Sequence, residues 1–385
     1  MHAPRQADAG GLVVANSHAA DPAQAVAEIV EAIGDAALAG GMLFCSSRYD
    51  RDDLASCIQR QLGHFPLIGC TSAGELTPRG YDTDNLQFIG FPAAAFTMRT
   101  LLVSDIDGFD RDGARQQIRH LAANARQESQ SLGDQLNQVA LFLVDGLSHR
   151  EEILTITAQD ALGDIPLIGG SSGDGLTFSE TAILVDGKFH SDAAVIAIVT
   201  STRPMHVFSE NYYEPGPAKM VVTRADPEKR IVYEINAAPA AEEYRHLAGN
   251  PVDRLDTAFF AAHPPMVRTG GSYHVRSIQT VNETDDSLTF YCAVDNGIVM
   301  TVGQPVDRIA QLTEFFGGLA DHVGEVDHVL CFDCVLNRVD AENRQLAGQV
   351  SQIYAANRVT GFNTYGEQFR AAHVNQTLSG LAIGR

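Results

Sequence analysis

The chain has 385 residues, of which 45% are hydrophobic and 19% are charged, as expected for a globular protein with a substantial core. At about 100–200 residues per domain, this length predicts two or three domains. The formal net charge is −21, and the acidic residues are spread along the chain. Because such a surface repels nucleic-acid phosphates and anionic lipids, we expect neither a nucleic-acid-binding nor a membrane-binding protein.

The expected location follows from apolar runs and cysteines. No apolar run approaches the roughly 20 residues that a membrane-spanning helix needs. The first ten residues lack the apolar stretch of a signal peptide. The six cysteines lie mostly in apolar runs, as Cys45, Cys292 and Cys331 do, which predicts buried free thiols in a reducing compartment. We therefore expect a cytoplasmic protein.

The chain opens with an alternation of strands and helices. An apolar strand (11–18) leads to Asp21-Pro22, a favoured N-cap followed by a favoured first helical residue. Apolar residues then recur at helical spacing. Three further segments complete this stretch: the strand MLFCSS (42–47), the motif PLIGCTSAGELT (66–77) and the strand LQFIGFPA (86–93).

The same order of elements returns about 100 residues later. The motif PLIGGSSGDGLT (166–177) matches PLIGCTSAGELT, and an apolar strand (139–146) precedes it as 42–47 precedes the first copy. Between them, Ser148 and Glu151 form an S-x-x-E capping box, which predicts a helix start. Self-similarity of this kind is the signature of repeated structural units.

A fainter third copy closes the chain. HVLCFDCVLNR (328–338) parallels the strand at 139–150, a helix is expected over about 340–357, and VTGFNTYGE (359–367) parallels LIGCTSAGE. Gly366-Glu367 thereby matches Gly74-Glu75. HVNQTLSGLAIG (373–384) then supplies a last strand.

We therefore predict an α/β fold of repeated mixed-sheet α/β units, with a duplicated N-terminal half and a related C-terminal domain. The N-terminal domain is expected over 1–210, with internal repeats at about 11–99 and 100–205. The C-terminal domain is expected over 211–385, since NYYEPGP (211–217) breaks the pattern.

Two short motifs are better explained by structural roles than by catalysis or metal binding. Residues 169–173 match the G-x-S-x-G of hydrolases, but a nucleophile elbow needs a helix directly after the serine, and strand signals follow here. Cys331 and Cys334 form a C-x-x-C without a second pair, and residues three apart on a strand face opposite sides. We therefore interpret the glycines as a tight turn and the cysteines as core residues, and expect no enzyme.

The motifs resemble a known family. PLIGCTSAGELT and PLIGGSSGDGLT resemble the FIST N-terminal domain, and FDCVLNR with GFNTYGEQFRAAHVNQTLSGLAIG resembles the FIST C-terminal domain. The family is one of intracellular sensory domains in signal transduction. The closing segment is most similar to its nitric-oxide-sensing NosP branch. That resemblance implies non-covalently bound haem b, nitric oxide as the signal and a sensor histidine kinase as the partner, and leaves a homodimer open.

The resemblance implies that His373 is the metal ligand, since a neutral imidazole can bind haem iron. Glu367 would orient the imidazole, Phe362 and Tyr365 would contact the flat macrocycle, and Asn375 would complete the site. If His373 is not the ligand, His149 and His274 are the alternatives.

A different function remains open on the residues alone. The repeated Ser, Thr and Gly turns suit a haem-free sensor of a small polar metabolite such as an amino acid. Ser171, Ser172 and Asp174 would then contact the ligand. Asp145, at a strand end, would either bind a ligand ammonium or hold a turn.

Overall fold

Three copies of one α/β unit make up most of the chain in a computed structural model that describes residues 11–133, 135–249, 255–269 and 271–385. The predicted mixed α/β class is confirmed. Each unit runs strand, helix, strand, helix, strand, hairpin, strand. No helix among the described residues combines the length and apolarity needed to cross a bilayer.

The first unit begins as its capping signal predicts, since Asp21 accepts a hydrogen bond from the Gln24 amide and Pro22 opens the helix. Its elements are β1 (Val13–Ser17), α1 (Pro22–Ile33), β2 (Leu38–Ser46), α2 (Arg51–Leu62), β3 (Leu67–Ser72), β4 (Glu75–Thr77), β5 (Gly80–Asp82) and β6 (Leu86–Pro92).

The second unit has the same order. Its elements are β7 (Phe96–Ser104), α3 (Arg111–Ser129), a 3₁₀ turn (Gln130–Leu132), β8 (Asn137–Val144), α4 (Glu151–Leu162), β9 (Leu167–Ser171), β10 (Ile183–Val185), β11 (Lys188–His190) and β12 (Ala193–Ser201). The predicted capping box at α4 is wrong. Ser148 donates to the carbonyl of Asp145 instead, and Arg150 stands at the N-cap without a side-chain cap.

The third unit starts with β13 (Met205–Asn211) and resumes after an insertion. Its later elements are α7 (Arg308–Gly318), α8 (Ala320–Val323), β22 (Val326–Cys334), α9 (Val335–Asn343), α10 (Ala347–Ala356), β23 (Val359–Thr364), β24 (Glu367–Phe369), β25 (Ala372–Val374) and β26 (Thr377–Gly384). The single helix expected over about 340–357 is two helices. The first begins directly at the end of β22, and the chain breaks at Gln345, whose φ is +59°.

The insertion, called here the inserted domain, covers 213–305. Its elements are β14 (Tyr213–Asp226), β15 (Ile231–Ile235), β16 (Ala238–Pro239), α5 (Ala240–Leu247), α6 (Thr257–Ala262), β17 (Pro265–Thr269), β18 (Ser272–Val275), β19 (Ile278–Asn282), β20 (Ser287–Phe290) and β21 (Val299–Pro305). The strands form one antiparallel sheet, and α5 and α6 pack on it around a separate apolar core.

The three units exchange their hairpins in a cycle. The first sheet, β1-β6-β2-β3-β10-β11, ends with the hairpin of the second unit. The second, β7-β12-β8-β9-β24-β25, ends with the hairpin of the third. The third, β13-β26-β22-β23-β4-β5, ends with the hairpin of the first. Each unit therefore completes the sheet of another.

The recurring glycine of the PLIG motif explains the central strand pairs. In each unit two parallel strands pair side by side, as β2 and β3 do. A Cβ on Gly69, Gly169 or Gly361 would collide with a carbonyl oxygen of the neighbouring parallel strand. The motif is thus a site of close backbone approach, where only glycine fits.

The inner faces of the three sheets share one core. Phe44 of the first sheet stacks on Phe362 of the third, with ring centroids 4.3 Å apart, and Leu141 of the second sheet joins the same cluster. The outer faces are covered separately by α1 and α2, by α3 and α4, and by α7 to α10.

The hairpin exchange predicts unequal effects at two equivalent leucines. Leu76 on β4 is fully buried in the third sheet's layer, whereas Leu176 is 47% exposed. We expect Leu76→Ala to lower the free energy of unfolding by about 2–5 kcal/mol. Leu176→Ala should cost less than about 0.5 kcal/mol. Denaturation followed by circular dichroism measures both, and equal losses would contradict the exchange.

Candidate functional site

A cleft opens where the first and second units meet at the carboxyl ends of their parallel strands. It consists of two adjoining cavities of about 190 Å³ and 260 Å³ that share Ser47. We call it the inter-repeat cleft, and its lining residues are Ser46, Ser47, Arg51, Thr71, Ser72, Ala73, Gly74, Glu75, Thr83, Asp84, Asp174, Gly175, Thr177, Ser179, Glu180 and Arg338. Carboxyl ends of parallel strands are a common place for ligand sites in α/β proteins.

A difference between the repeats creates the cleft. The turn after the third strand of each unit reads SAGE at 72–75, SGDG at 172–175 and TYGE at 364–367. The second unit therefore has Gly175 where the other two have glutamate. The lack of a side chain there leaves room beside the first unit's turn, and Gly175 lines the larger cavity.

The smaller cavity contains an ion pair. Arg51, the first residue of α2, pairs with Glu180 of the second unit. Their side chains are 29% and 67% exposed. Because solvent screens such a pair, it contributes little to folding, and an anionic ligand could replace Glu180 at the guanidinium.

The larger cavity contains a poorly partnered arginine. The Arg338 side chain is 10% exposed, and its guanidinium lies over Gly74. Its Nη1 is 3.5 Å from Oδ1 of Asn363, and its Nε is 3.6 Å from the exposed carboxylate of Glu342. Both distances exceed those of good charge-assisted hydrogen bonds, so these contacts satisfy the guanidinium poorly.

Glu75 lies in the same cavity as a buried carboxyl group. Its Oε1 accepts a hydrogen bond from the Ser72 hydroxyl, and its Oε2 is buried without a hydrogen-bond partner. Burial raises the pKa of Glu75 to about 8, Asp82 adds to the rise, and Arg338 opposes it. Glu75 is therefore protonated at neutral pH and can donate a hydrogen bond.

Asp174 shapes the cleft from the side of the second unit. Its carboxylate accepts hydrogen bonds from the amides of Phe178, Ser179 and Glu180 at 2.8–2.9 Å, and from the Tyr365 hydroxyl. These bonds outweigh burial and hold the pKa of Asp174 well below its usual range. Since its oxygens are used, Asp174 holds the loop 174–180 in place.

Asp145 and the two serines also serve the architecture. Asp145 accepts from the Thr181 hydroxyl and from the Asp192 amide at 2.8 Å, so it holds a turn. Ser171 accepts from Gln368 at 2.9 Å, and Ser172 accepts from the Gly146 amide at 3.1 Å.

Comparison with known protein families identifies the family of the chain that contains this cleft. The model of the FIST N domain matches residues 39–238, and that of the FIST C domain matches residues 240–370. The chain belongs to the FIST family. It is therefore related to sensory, ligand-binding domains of signal transduction.

Individual relatives of this FIST protein are distant. An uncharacterized protein of Methanocaldococcus jannaschii is 24% identical over 279 residues, which cover 66% of this chain and 52% of that protein. The chain thus spans about half the length of that curated relative. The cyanuric acid hydrolase from A. caulinodans aligns over 97% of this chain and 99% of its own at 9% identity, with a TM-score of 0.35. That likeness is too slight to support a conclusion.

The residues that the resemblance assigns to haem lie along the closing segment of this FIST protein, with Phe362 on β23 and Glu367 and His373 on the β24–β25 hairpin. On the β24–β25 hairpin, Gln368 pairs with His373 in register and orients its ring, with Nε2 of Gln368 3.2 Å from Nδ1 of His373. Glu367 instead accepts from the backbone amide and hydroxyl of Thr377, at 3.1 Å and 2.8 Å. The expected orienting role therefore falls to Gln368.

The packing around these residues does not fit a haem group as it stands. His373 is 5% exposed, Tyr365 3%, Asn375 1%, and Phe362 and Glu367 are fully buried. A Cβ on Gly366 would press on the imidazole, and Phe362 packs between Phe44 and Phe332. A macrocycle needs an open cavity against these side chains, whereas protein atoms already cover them.

His373 has one property that suits a ligand. Its Nε2 is buried without a hydrogen-bond partner, and burial lowers its pKa, so the ring is neutral. Among the described residues, no three His, Cys, Asp or Glu side chains converge as a metal site. Of the alternatives, His149 is exposed and His274 is half-buried, and partial desolvation lowers the pKa of both imidazoles.

Sequence reasoning missed the charged residues of the cleft, namely Arg51, Glu180 and Arg338. A signal was present, because Arg51, Arg150 and Arg338 each follow the second strand of their unit within a few residues. Aligning the three units at this point would have marked an arginine position beside the turn.

The buried carboxyl groups predict a pH effect on stability. Burial raises the pKa of Glu367 to about 8, so the folded state keeps a proton that the unfolded state loses above about pH 4.5. The free energy of unfolding should therefore fall as pH rises from about 5 to 8, by on the order of a few kcal/mol.

Glu367→Gln should flatten this decline, because glutamine keeps the contacts to Thr364 and Thr377 without a titrating group. Glu342→Gln, at a side chain that is 57% exposed, is the control. Thermal unfolding between pH 5 and pH 8 measures the effect. Parallel curves for the wild type and Glu367→Gln would show that Glu367 is ionised in the folded protein.

Proposed function

We propose that this FIST protein is a sensor that binds a small polar metabolite, such as an amino acid, in the inter-repeat cleft. The observation that carries the proposal is Arg338, whose side chain is nine-tenths buried beside a cavity, with its Nε lacking a hydrogen-bond partner and its Nη1 at a long 3.5 Å from Asn363. A buried charge without good partners is costly to folding, and such groups concentrate at binding sites.

The charges of the cleft suit a ligand that carries both signs. Arg51 and Arg338 attract an anionic group, while Glu180 and Asp84 are exposed carboxylates that attract an ammonium group. Hydroxyl groups between them, including that of Ser47, supply hydrogen bonds. A few well-placed polar groups of this kind fix the orientation of a small ligand.

Arg338 also gives a path from the cleft to the inserted domain. It lies on α9, and Val335 and Val339 of the same helix pack in one cluster with Ala261 and Tyr291 of the inserted domain. A ligand that pulls on Arg338 would move this contact. Signalling then requires that the ligand prefer one of two arrangements of α9.

In this proposal the protein binds its ligand without catalysing a reaction, and it works in a reducing cytoplasm. Burial raises the pKa of the Cys45 and Cys70 thiols above their usual range, which removes them as nucleophiles near neutral pH. All six cysteines are buried and free, as expected of a chain kept reduced.

Thermal-shift screening with the twenty amino acids and common polar metabolites tests this proposal. We expect at least one compound to raise the melting temperature, since a ligand at 100 times its Kd stabilises by about 2.7 kcal/mol. Ser47→Trp should abolish the shift by filling the cleft. Ser131→Trp, at another exposed serine, should not. A shift that survives Ser47→Trp would place the ligand elsewhere.

A haem-binding nitric-oxide sensor that regulates a partner histidine kinase is the second candidate, favoured by the unpartnered Nε2 of His373. Because the surrounding side chains are close-packed, it requires that the β24–β25 hairpin move. The visible spectrum of protein from haem-supplemented cells tests it.

A Soret band that shifts with nitric oxide, disappears in His373→Ala and persists in His64→Ala would support this second candidate. His64 is exposed and belongs to the first unit. A colourless protein that takes up no added haem would leave the metabolite sensor as the function.

A further inference from the structure

Two equivalent glutamates in the first and third units differ in one respect. In each, a hydroxyl three residues earlier donates to Oε1, from Ser72 to Glu75 and from Thr364 to Glu367. The second oxygen of Glu367 accepts two hydrogen bonds from Thr377. The second oxygen of Glu75 has no hydrogen-bond partner, although the Asn85 amide is near enough to favour its charged form slightly.

Glu75 and Arg338 both line the cavity of about 260 Å³, and each has a buried polar atom without a hydrogen-bond partner, Oε2 of Glu75 and Nε of Arg338. Both groups are at least nine-tenths buried. Leaving two such groups unsatisfied destabilises the folded state, and the charged one costs more than the neutral one. A ligand group that satisfies both at once would recover that cost.

We propose that Arg338 and Glu75 form the subsite that binds the carboxylate of the ligand, which deepens the metabolite-sensor function proposed above and rests on it. The guanidinium donates N–H bonds to the carboxylate, and the Glu75 carboxyl group donates its O–H to it.

The surroundings of the pair favour a carboxylate over a phosphate. Asp82 raises the pKa of Glu75 from one side, and Asp84 lines the same cavity. These carboxylates repel a dianion, whereas one guanidinium compensates a single negative charge. Guanidinium and carboxylate are also planar groups whose geometry matches in pairs.

The closing experiment uses the full chain, with binding measured by calorimetry. The probes are acetate and the amino acids, each amino acid beside its amide, which lacks the negative charge. We expect the carboxylates to bind and the amides to bind at least tenfold more weakly. Arg338→Gln should weaken carboxylate binding by about ten- to a hundredfold, the effect of losing hydrogen bonds to a charged group.

Arg344→Gln is the matched control, because Arg344 ends the same helix and pairs with Asp340 at 3.4 Å outside the cleft. Carboxylate binding that is unchanged in Arg338→Gln would overturn the assignment. Amides that bind the wild type as tightly as the acids would also overturn it, and this comparison needs no variant to fold.

Glu75 gives an independent readout in pH. The titratable and charged groups that interact with Glu75 include Asp82 on β5, Arg338 on α9, the buried thiols of Cys45 and Cys70, and the Tyr49 hydroxyl. Wild-type affinity should fall by up to about tenfold from pH 7 to pH 9 as Glu75 ionises. Glu75→Gln, whose amide can donate in its place, should show no such fall, and an equal fall in both would overturn the role of Glu75.

The experiment separates this subsite from the proposed function. A non-carboxylate metabolite whose binding is lost in Ser47→Trp would overturn the carboxylate subsite and leave the sensor in place. If no probe or metabolite binds the cleft at all, both proposals are wrong.

Discussion

The hairpin exchange is the constraint on which the remaining architecture depends. Each sheet ends with strands from another unit, so its edge is closed only when that unit is present. Open edges would otherwise expose unpaired backbone groups. The repeats of a solenoid contact only their neighbours, whereas here each of the three units completes the sheet of another in a closed cycle. The inner core shared by Phe44, Leu141 and Phe362 follows from this cycle.

The same cycle explains why the proposed binding site is asymmetric in a threefold repeated protein. Exchange brings the three turns 72–75, 172–175 and 364–367 to strand ends beside different neighbours. Small changes then decide which junction is filled. Tyr365 of the third turn reaches across to Asp174 of the second, while Gly175 leaves space beside Glu75. The same turn, repeated three times, thus forms a hydrogen bond between two units in one place and lines a cleft in another.

Much of this could be predicted from the sequence, because the relevant signals are local. The N-cap at Asp21, the apolar strands and the close-approach glycine of PLIG all depend on nearby residues. The exchange of hairpins between sheets was not predictable from periodicity. Strands β4 and β5 have three residues each, which is too short for a pattern that would indicate their partner sheet. Arg338 was missed for a similar reason: its role depends on Gly74, which is far away in sequence.

Helix α9 joins the cleft to the rest of the molecule through a buried polar network. Asn337, next to Arg338, donates to Asp333 at 2.8 Å, and Tyr81 of the exchanged hairpin donates to the same carboxylate at 2.6 Å. Buried Arg308 donates to the Tyr81 hydroxyl at 2.8 Å. Because partly broken buried networks are costly, Arg338 cannot shift far without α9 and the hairpin responding together. The exchanged hairpin that links the first and third units therefore belongs to the same network that would transmit a binding signal from the cleft.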